Sequence, residues 1–315
     1  MKKKLAFIFP GQGAQYPGMG KDYCDAFSAA RDTFEEADEI LGEKLSQIIF
    51  FGPEDVLTQT KYSQTAIFTV SMAILRTVQQ QLPDLIPNVC AGLSLGEYTA
   101  LCASGRLGFA DTLRLVQERA RLMNEACEKV PGTMAAVLGL DAAGIEAAVK
   151  QLKGIWVANY NAPGQTVISG TKEGIEQAAL VLKEKGAKRV IPLAVHGAFH
   201  SGLMQSAQDG LAPWIQRAPI QDSPVGFVTN VTGNYVKTVD EIRKNLTLQV
   251  TQSIRWEQGI EAMKKAGIEL FLEIGCGKTL TGLNKKMGIP DRALSVDSRA
   301  DLDALAKALD LMAKV

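Results

Sequence analysis

At 315 residues, 46% of them hydrophobic, the chain is long enough to build one large domain or two modest ones around a real core, which excludes a disordered protein. Its 34 lysines and arginines balance 34 aspartates and glutamates, so no general field draws in nucleic acid or an anionic membrane, and any charged ligand must be recognised locally. The cysteines, Cys24, Cys90, Cys102, Cys127 and Cys276, are odd in number, lack CxxC spacing and have no histidine close in sequence, so neither a disulfide framework nor a zinc site is supported and a reducing cytoplasm fits.

Lys2, Lys3 and Lys4 precede an apolar run that Pro10 and Gly11 end far short of a signal or membrane helix, and residues 4–9 are predicted as a buried strand. Phe9-Pro10-Gly11-Gln12-Gly13 then places backbone amides and the Gln12 side chain at that strand's carboxyl end. A dinucleotide fingerprint would want glycine at position 16, which is Tyr16, so a phosphate-loop reading fails. A strand over 88–93 runs into a helix over 96–103, and the turn between them is Gly92-Leu93-Ser94-Leu95-Gly96. This is the pattern of a nucleophile elbow: a sharp turn pushes the serine hydroxyl into the open, and a Cβ on either flanking glycine would clash. A serine in that role needs an imidazole to take its proton.

The following helix, over 110–129, carries Arg119, whose neighbours at i−4, i−3, i+3 and i+4 are Leu115, Val116, Leu122 and Met123. Arg114 and Arg121 have polar neighbours instead and belong on a solvated face. A guanidinium on an apolar face needs an anion. The planar fork suits a ligand carboxylate, a structural ion pair with an acid of the chain serves equally, and the residues alone leave both open.

Between 132 and 194 the rhythm changes. Strand 133–139, helix 141–152, strand 155–159, strand 166–169, helix 172–185 and strand 188–193 follow the βαββαβ order of a ferredoxin-like unit. Pro131-Gly132 and His196-Gly197 bound it, so residues 131–197 are expected to form a small subdomain inserted into a large one built from 1–130 and 198–315, with a cleft where they meet.

The chain has 2 histidines, His196 and His200. His196 is expected to close the preceding strand, as a satisfied polar group. His200 lies in a turn sequence, 197–201, opening a helical stretch to 215. If Ser94 is a nucleophile one imidazole must reach it, and the turn at the subdomain junction is the better placed. Strands over 225–229 and 269–274 complete an α/β layered pattern. Gly275-Cys276-Gly277-Lys278-Thr279 comes next, but a Walker loop would need glycine at 272, which is Leu272, so nucleotide hydrolysis is set aside.

With these residues in place, the chain resembles the malonyl-CoA:acyl-carrier-protein transacylases of fatty-acid synthesis and the related acyltransferase domains of polyketide synthases, over nearly its whole length. The motifs are Phe-Pro-Gly-Gln-Gly at 9–13, Gly-Leu-Ser-Leu-Gly-Glu-Tyr at 92–98, Gln-Glu-Arg-Ala at 117–120, Ala-Phe-His-Ser at 198–201, the late Gln249 to Trp256 segment, and Glu-Ile-Gly-Cys-Gly-Lys at 273–278. The resemblance implies a hydrolase-like parallel sheet for the large subdomain. It implies Ser94 as nucleophile, His200 as base, Arg119 as the cation that holds the malonyl carboxylate, Gln12 and the Leu95 amide as oxyanion-hole donors, and the Gln249 backbone carbonyl as the group that orients the histidine. No triad aspartate, metal or cofactor is implied; malonyl-CoA is the donor and the phosphopantetheine thiol of acyl carrier protein the acceptor. Leu93, Ser253 and Thr65 depart from the family pattern, which commonly has His, Pro and Tyr-x-Gln-Pro in these segments. Asn159 and Asn161 resemble cleft-facing positions.

Phe199, beside the base, is expected to crowd an α-methyl branch and so favour malonyl over methylmalonyl. Lys183, Lys185, Lys188 and Arg189 form either a basic edge for an acidic carrier or a solvated helix end. Two other functions fit parts of the pattern: a serine esterase or thioesterase, in which water resolves the acyl-enzyme, and a carrier-docking module without catalysis. Hydrolases usually place an acid and then a histidine near the chain's end, whereas more than a hundred residues follow His200 here.

Overall fold

A computed structural model describes residues 4–195, 197–289 and 293–313. Eleven strands lie among them: β1 (Leu5–Phe9), β2 (Val89–Gly92), β3 (Thr133–Leu138), β4 (Ile155–Ala162), β5 (Gln165–Gly170) and β6 (Arg189–Pro192), then β7 (Gly226–Thr229), β8 (Asn234–Tyr235), β9 (Ile254–Arg255), β10 (Leu270–Ile274) and β11 (Ala293–Val296). The chain divides into two compact units. One comprises residues 1–117, 219–227 and 264–315, and the other 118–218 and 228–263. The chain thus changes unit within the helix Phe109–Lys129 and within β7.

In the first unit, parallel strands run in the order β11-β10-β1-β2-β7. Every residue of β1, β2 and β10 is buried, which is why β1 and β2 read as unbroken apolar runs rather than as alternations and β10 is apolar apart from Glu273. Phe9 sits in register with Gly92, so the 10–13 loop and the elbow both leave the sheet at the carboxyl ends of neighbouring parallel strands, where α/β folds place their ligands. The longest helix here, Thr60–Gln81, is buried along most of its length.

In the second unit, β3 to β6 form an antiparallel sheet in the order β6-β3-β5-β4, crossed by the helices Ala142–Val149 and Lys172–Glu184. This is the expected ferredoxin-like topology. Each helix starts where a side chain satisfies an orphan amide: Asp141 accepts from the Gly144 N–H at 2.6 Å and Thr171 from the Gly174 N–H at 3.0 Å. Ala135, Val137, Ile145, Ile168, Ala178 and Leu182 fill the space between sheet and helices. β9 adds a parallel edge to β4, pairing Asn159 with Ile254. β4 runs three residues beyond the predicted 155–159, because register shifts after Val157 and after Tyr160 let the pairing continue where alternation fails. The end of the predicted insert at His196 lies outside the described residues.

Ile168, with no exposed surface, is the central test of this second core. Ile168→Ala is expected to lower the stability of the unit by about 2–4 kcal/mol, read from urea unfolding followed by far-ultraviolet circular dichroism.

Candidate functional site

In the first unit the chain leaves β2 through Leu93, whose N–H donates to the Phe9 carbonyl at 3.1 Å, and enters the helix Leu95–Ala103 with Ser94 at its N-cap. Ser94 has φ 54° and ψ −105°, a conformation that side chains rarely adopt. Its flanking glycines explain how the turn is possible. A Cβ on Gly92 would overlap the Gly96 carbonyl, and one on Gly96 would overlap the Phe9 carbonyl. Only bare backbone lets the turn close this tightly, and the result holds the serine half-buried at a helix N-terminus. The Leu95 amide is the first of that helix, and like the other leading amides of a helix it has no intrahelical acceptor. Gln12, on the neighbouring loop, donates from Nε2 to Thr60 Oγ1 at 3.4 Å. Ser94, Leu95 and Gln12 therefore share one end of the first unit's sheet.

In the second unit His200 is 4% exposed and has φ 57°. Among the described residues, Ser94 and His200 are the two non-glycine positions with positive φ. Ser201 steadies the turn by donating from Oγ to the Ala198 carbonyl at 2.6 Å and accepting from the Leu203 N–H at 3.2 Å. His200 Nδ1 lies 2.7 Å from the backbone carbonyl oxygen of Gln249. A carbonyl only accepts, so Nδ1 carries the proton and Nε2 is left as the basic nitrogen.

Gln249 ends the helix Val239–Gln249, which begins with a reciprocal capping box between Thr238 and Glu241. Its carbonyl is one of the last four of the helix, the carbonyls that the intrahelical ladder does not use. The same residue's side chain accepts through Oε1 from Arg119 Nη2 at 3.0 Å. Arg119 is 1% exposed, as its apolar neighbours required, while Arg121 faces solvent and pairs with Glu118 and Glu125 at 2.8 and 2.6 Å. His200, Gln249 and Arg119 thus form one hydrogen-bonded group, and Phe199 is buried next to the histidine in sequence.

Asn230, at the carboxyl end of β7, accepts through Oδ1 from Gln249 Nε2 at 3.3 Å. Sequence reasoning passed over it; its one signal is an asparagine directly after a predicted strand. Of the departures from the family pattern, Ser253 donates to the Val157 carbonyl at 2.6 Å and Thr65 to the Tyr62 carbonyl at 3.0 Å. Asn159 is buried and Asn161 half-buried. Lys183, Lys185, Lys188 and Arg189 are exposed. His196 lies outside the described residues. The Gly275–Thr279 stretch does lead into a helix, but its leading amides are occupied by the chain's own carboxylate: Glu273 accepts from Leu280 at 3.0 Å and Thr281 at 2.7 Å, which leaves that end without the open amides a phosphate would take. Among the described residues no group of acids, histidines and cysteines is arranged to hold a metal, and no helix is long and apolar enough to cross a membrane.

Residues 6–281 match the acyl transferase domain family. A malonyl CoA-acyl carrier protein transacylase of Bacillus subtilis is 40% identical over 313 residues, covering 98% of this chain and 97% of that one. The crystal structure of acyl-carrier-protein-S-malonyltransferase from Bartonella henselae superposes with a TM-score of 0.92 at 39% identity, over 98% of this chain and 99% of that one. A malonyl-transacylase in complex with its type II polyketide-synthase acyl-carrier protein superposes at 0.89 with 38% identity, over 95% and 97% of the two chains.

Burial, and next to it the Arg119 charge, hold the His200 imidazole down to about 3 from its ordinary 6.5, against the upward pull of the Gln249 carbonyl. In the unfolded chain this side chain binds a proton below about 6.5, and in the folded chain it stays neutral until about 3. The unfolded state therefore binds more protons throughout that window, and this group's contribution to stability falls as the pH drops through it. In nuclear magnetic resonance titration, His200 is expected to show no proton uptake near pH 6.5, and Arg119→Met is expected to raise its midpoint by removing the repelling cation.

Proposed function

The chain belongs to the acyl transferase domain family, and on that premise we propose that it moves the malonyl group from malonyl-CoA to the phosphopantetheine thiol of acyl carrier protein through an acyl-serine intermediate. The observation that carries the reading is the coincidence of strain with chemistry: among the described residues, the two non-glycine positions at positive φ, one in each unit, are a serine at an elbow and a histidine whose Nδ1 is bonded to a helix end. Strain of this kind persists where the surroundings enforce it, and it gathers at active sites.

In the first half-reaction His200 Nε2 takes the Ser94 Oγ proton, and Oγ adds to the thioester carbonyl. The oxyanion so formed is held by the Leu95 N–H and the Gln12 side chain. The carbon–sulfur bond then breaks, and the CoA sulfur leaves with the proton from Nε2. In the second half-reaction the carrier's thiol gives its proton to the same nitrogen and attacks the acyl ester, and Ser94 Oγ leaves and regains that proton. Gln249 keeps the ring in one tautomer throughout, so no triad aspartate is required. The sequence of steps asks for no metal or cofactor, since the acyl group is activated first as a thioester and then as a serine ester.

Arg119 would select the substrate. A buried cation pairs with the free carboxylate of a malonyl group, an ion pair that an acetyl group cannot make. Phe199 would turn away an α-methyl branch. Residues 131–197 would form the small subdomain, and 1–130 with 198–315 the large one, to which the chain returns at His200. Five free cysteines suit a reducing cytoplasm.

Intact-protein mass spectrometry after mixing with malonyl-CoA tests the assignment. The wild type is expected to hold a malonyl adduct that a thiol discharges, Ser94→Ala to hold none, and Arg119→Met to lose at least about a hundredfold in malonylation rate while keeping more of its acetylation rate. Hydrolysis of the adduct faster than its discharge by thiol would make the chain an esterase instead. Equal yields from malonyl-, methylmalonyl- and acetyl-CoA would refute the roles of Arg119 and Phe199.

A further inference from the structure

We propose that Asn230 is a positioning residue for substrate selection, setting the orientation of the Gln249 amide and through it the direction of the Arg119 guanidinium. The inference rests on the malonyl-transfer reading above and names a residue that the reading does not use.

The chemistry of the three side chains leaves one arrangement. A guanidinium has donors only, so the Gln249 group facing Arg119 at 3.0 Å must be its carbonyl oxygen. The amide nitrogen then points the other way and needs an acceptor, which Asn230 Oδ1 provides at 3.3 Å. Were the amide reversed, a nitrogen donor would face the guanidinium donors, and Asn230 Oδ1 would face a second oxygen. Gln249 is fully buried and Asn230 is 3% exposed, so water is a poor substitute for either partner.

Asn230 can enforce this choice because it is itself held. Its backbone carbonyl accepts from the Arg255 N–H at 2.9 Å, and the turn closes through the Gly233 N–H on the Thr229 carbonyl at 2.9 Å. Thr229 Oγ1 accepts from Asn245 Nδ2 at 3.0 Å. Asn245 and Gln249 are one helical turn apart on the helix Val239–Gln249, so that helix grips the 229–230 corner twice. The first grip, side chain to side chain, ties the helix to the corner through Asn245 and Thr229. The second ends on the residue that also contacts Arg119 and, through its carbonyl, His200. A shift of the Gln249 side chain would redirect Arg119, whereas the His200 bond is made by the main chain and is the less affected of the two.

The expected signature is therefore a loss of discrimination. Asn230→Leu, which fills the space without an acceptor, and Asn230→Ala, which leaves it open, are compared with the wild type in rates of Ser94 acylation by malonyl-CoA and acetyl-CoA, read by intact mass. Thr229→Val, which removes the neighbouring grip, is the control. The Asn230 variants are expected to lower the malonyl-to-acetyl ratio about fivefold to tenfold, with most of the change in KM for malonyl-CoA and under about threefold in the acetyl rate. Thr229→Val is expected to lower the melting temperature and leave the ratio within about twofold.

Equal loss with both donors, or an equal change of ratio in Thr229→Val, would overturn the proposal and leave Asn230 a structural residue. Loss of cooperative unfolding in both Asn230 variants would overturn it in the same way. A wild type that accepts no malonyl group would refute the function itself, an outcome distinct from a wild type that is acylated while the variants keep its ratio.

Discussion

The hydrogen bond from the His200 imidazole to the last carbonyl of the helix Val239–Gln249 is the interaction around which the second unit's chemistry is arranged. It fixes the tautomer, and it brings to the ring the negative end of a helix dipole, about half an elementary charge, which favours an imidazolium when a proton arrives. A buried carboxylate would do this more strongly. Arg119 joins the same residue, Gln249, through its side chain, so imidazole and guanidinium share one anchor. The capping box at the far end of that helix contributes indirectly, by fixing where its first turn begins and so where its last carbonyl falls.

Ser94 is held by backbone, and His200 by backbone together with the Ser201 hydroxyl. Ser94 is held because Gly92 and Gly96 allow main chain to approach main chain without an intervening Cβ, and because Leu93 donates to Phe9 across the sheet. His200 is held by the 198–203 turn and by its bond to Gln249. Distortions of this size cost about 1–3 kcal/mol each, and contacts made of backbone cannot relax them by changing rotamer. Each residue is consequently presented in a fixed orientation within its own unit.

Much of this was legible in the residues. Leu5–Phe9 and Val89–Gly92 are continuous apolar runs, and Leu270–Ile274 is apolar apart from Glu273, because strands buried on both faces need no polar side, and the βαββαβ order came through because Asp141 and Thr171 mark helix starts between short β-branched segments. Arg119 was found by period alone: four apolar neighbours at helical spacing can only mean an inward-facing cation. What stayed hidden has a common cause. β8 and β9 are two residues each, too short for any period, and exist because another strand presents an edge: β7, directly before it, for β8, and β4, far earlier in the chain, for β9. β11, four residues with two buried, is stabilised mainly by its pairing with β10. Asn230 was invisible for a related reason. An asparagine after a strand is ordinary turn chemistry until the fold brings Gln249, nineteen positions away, against it.

The departure at Ser253 shows how such a network tolerates change. Proline restricts its segment through a fixed φ and a missing donor, and a serine gives up both constraints. Here the hydroxyl restores one of them by another route, donating to the Val157 carbonyl at the first register shift of β4. That oxygen sits where the bulge interrupts the regular ladder, the kind of position at which a carbonyl is left short of a partner. The bond pins the residue before β9 to the strand that β9 extends, so the 249–256 segment enters its short parallel pairing from a defined place. Since that segment starts at Gln249, a constraint lost from one covalent ring and regained as one hydrogen bond still keeps in register the stretch on which both the imidazole and the guanidinium depend.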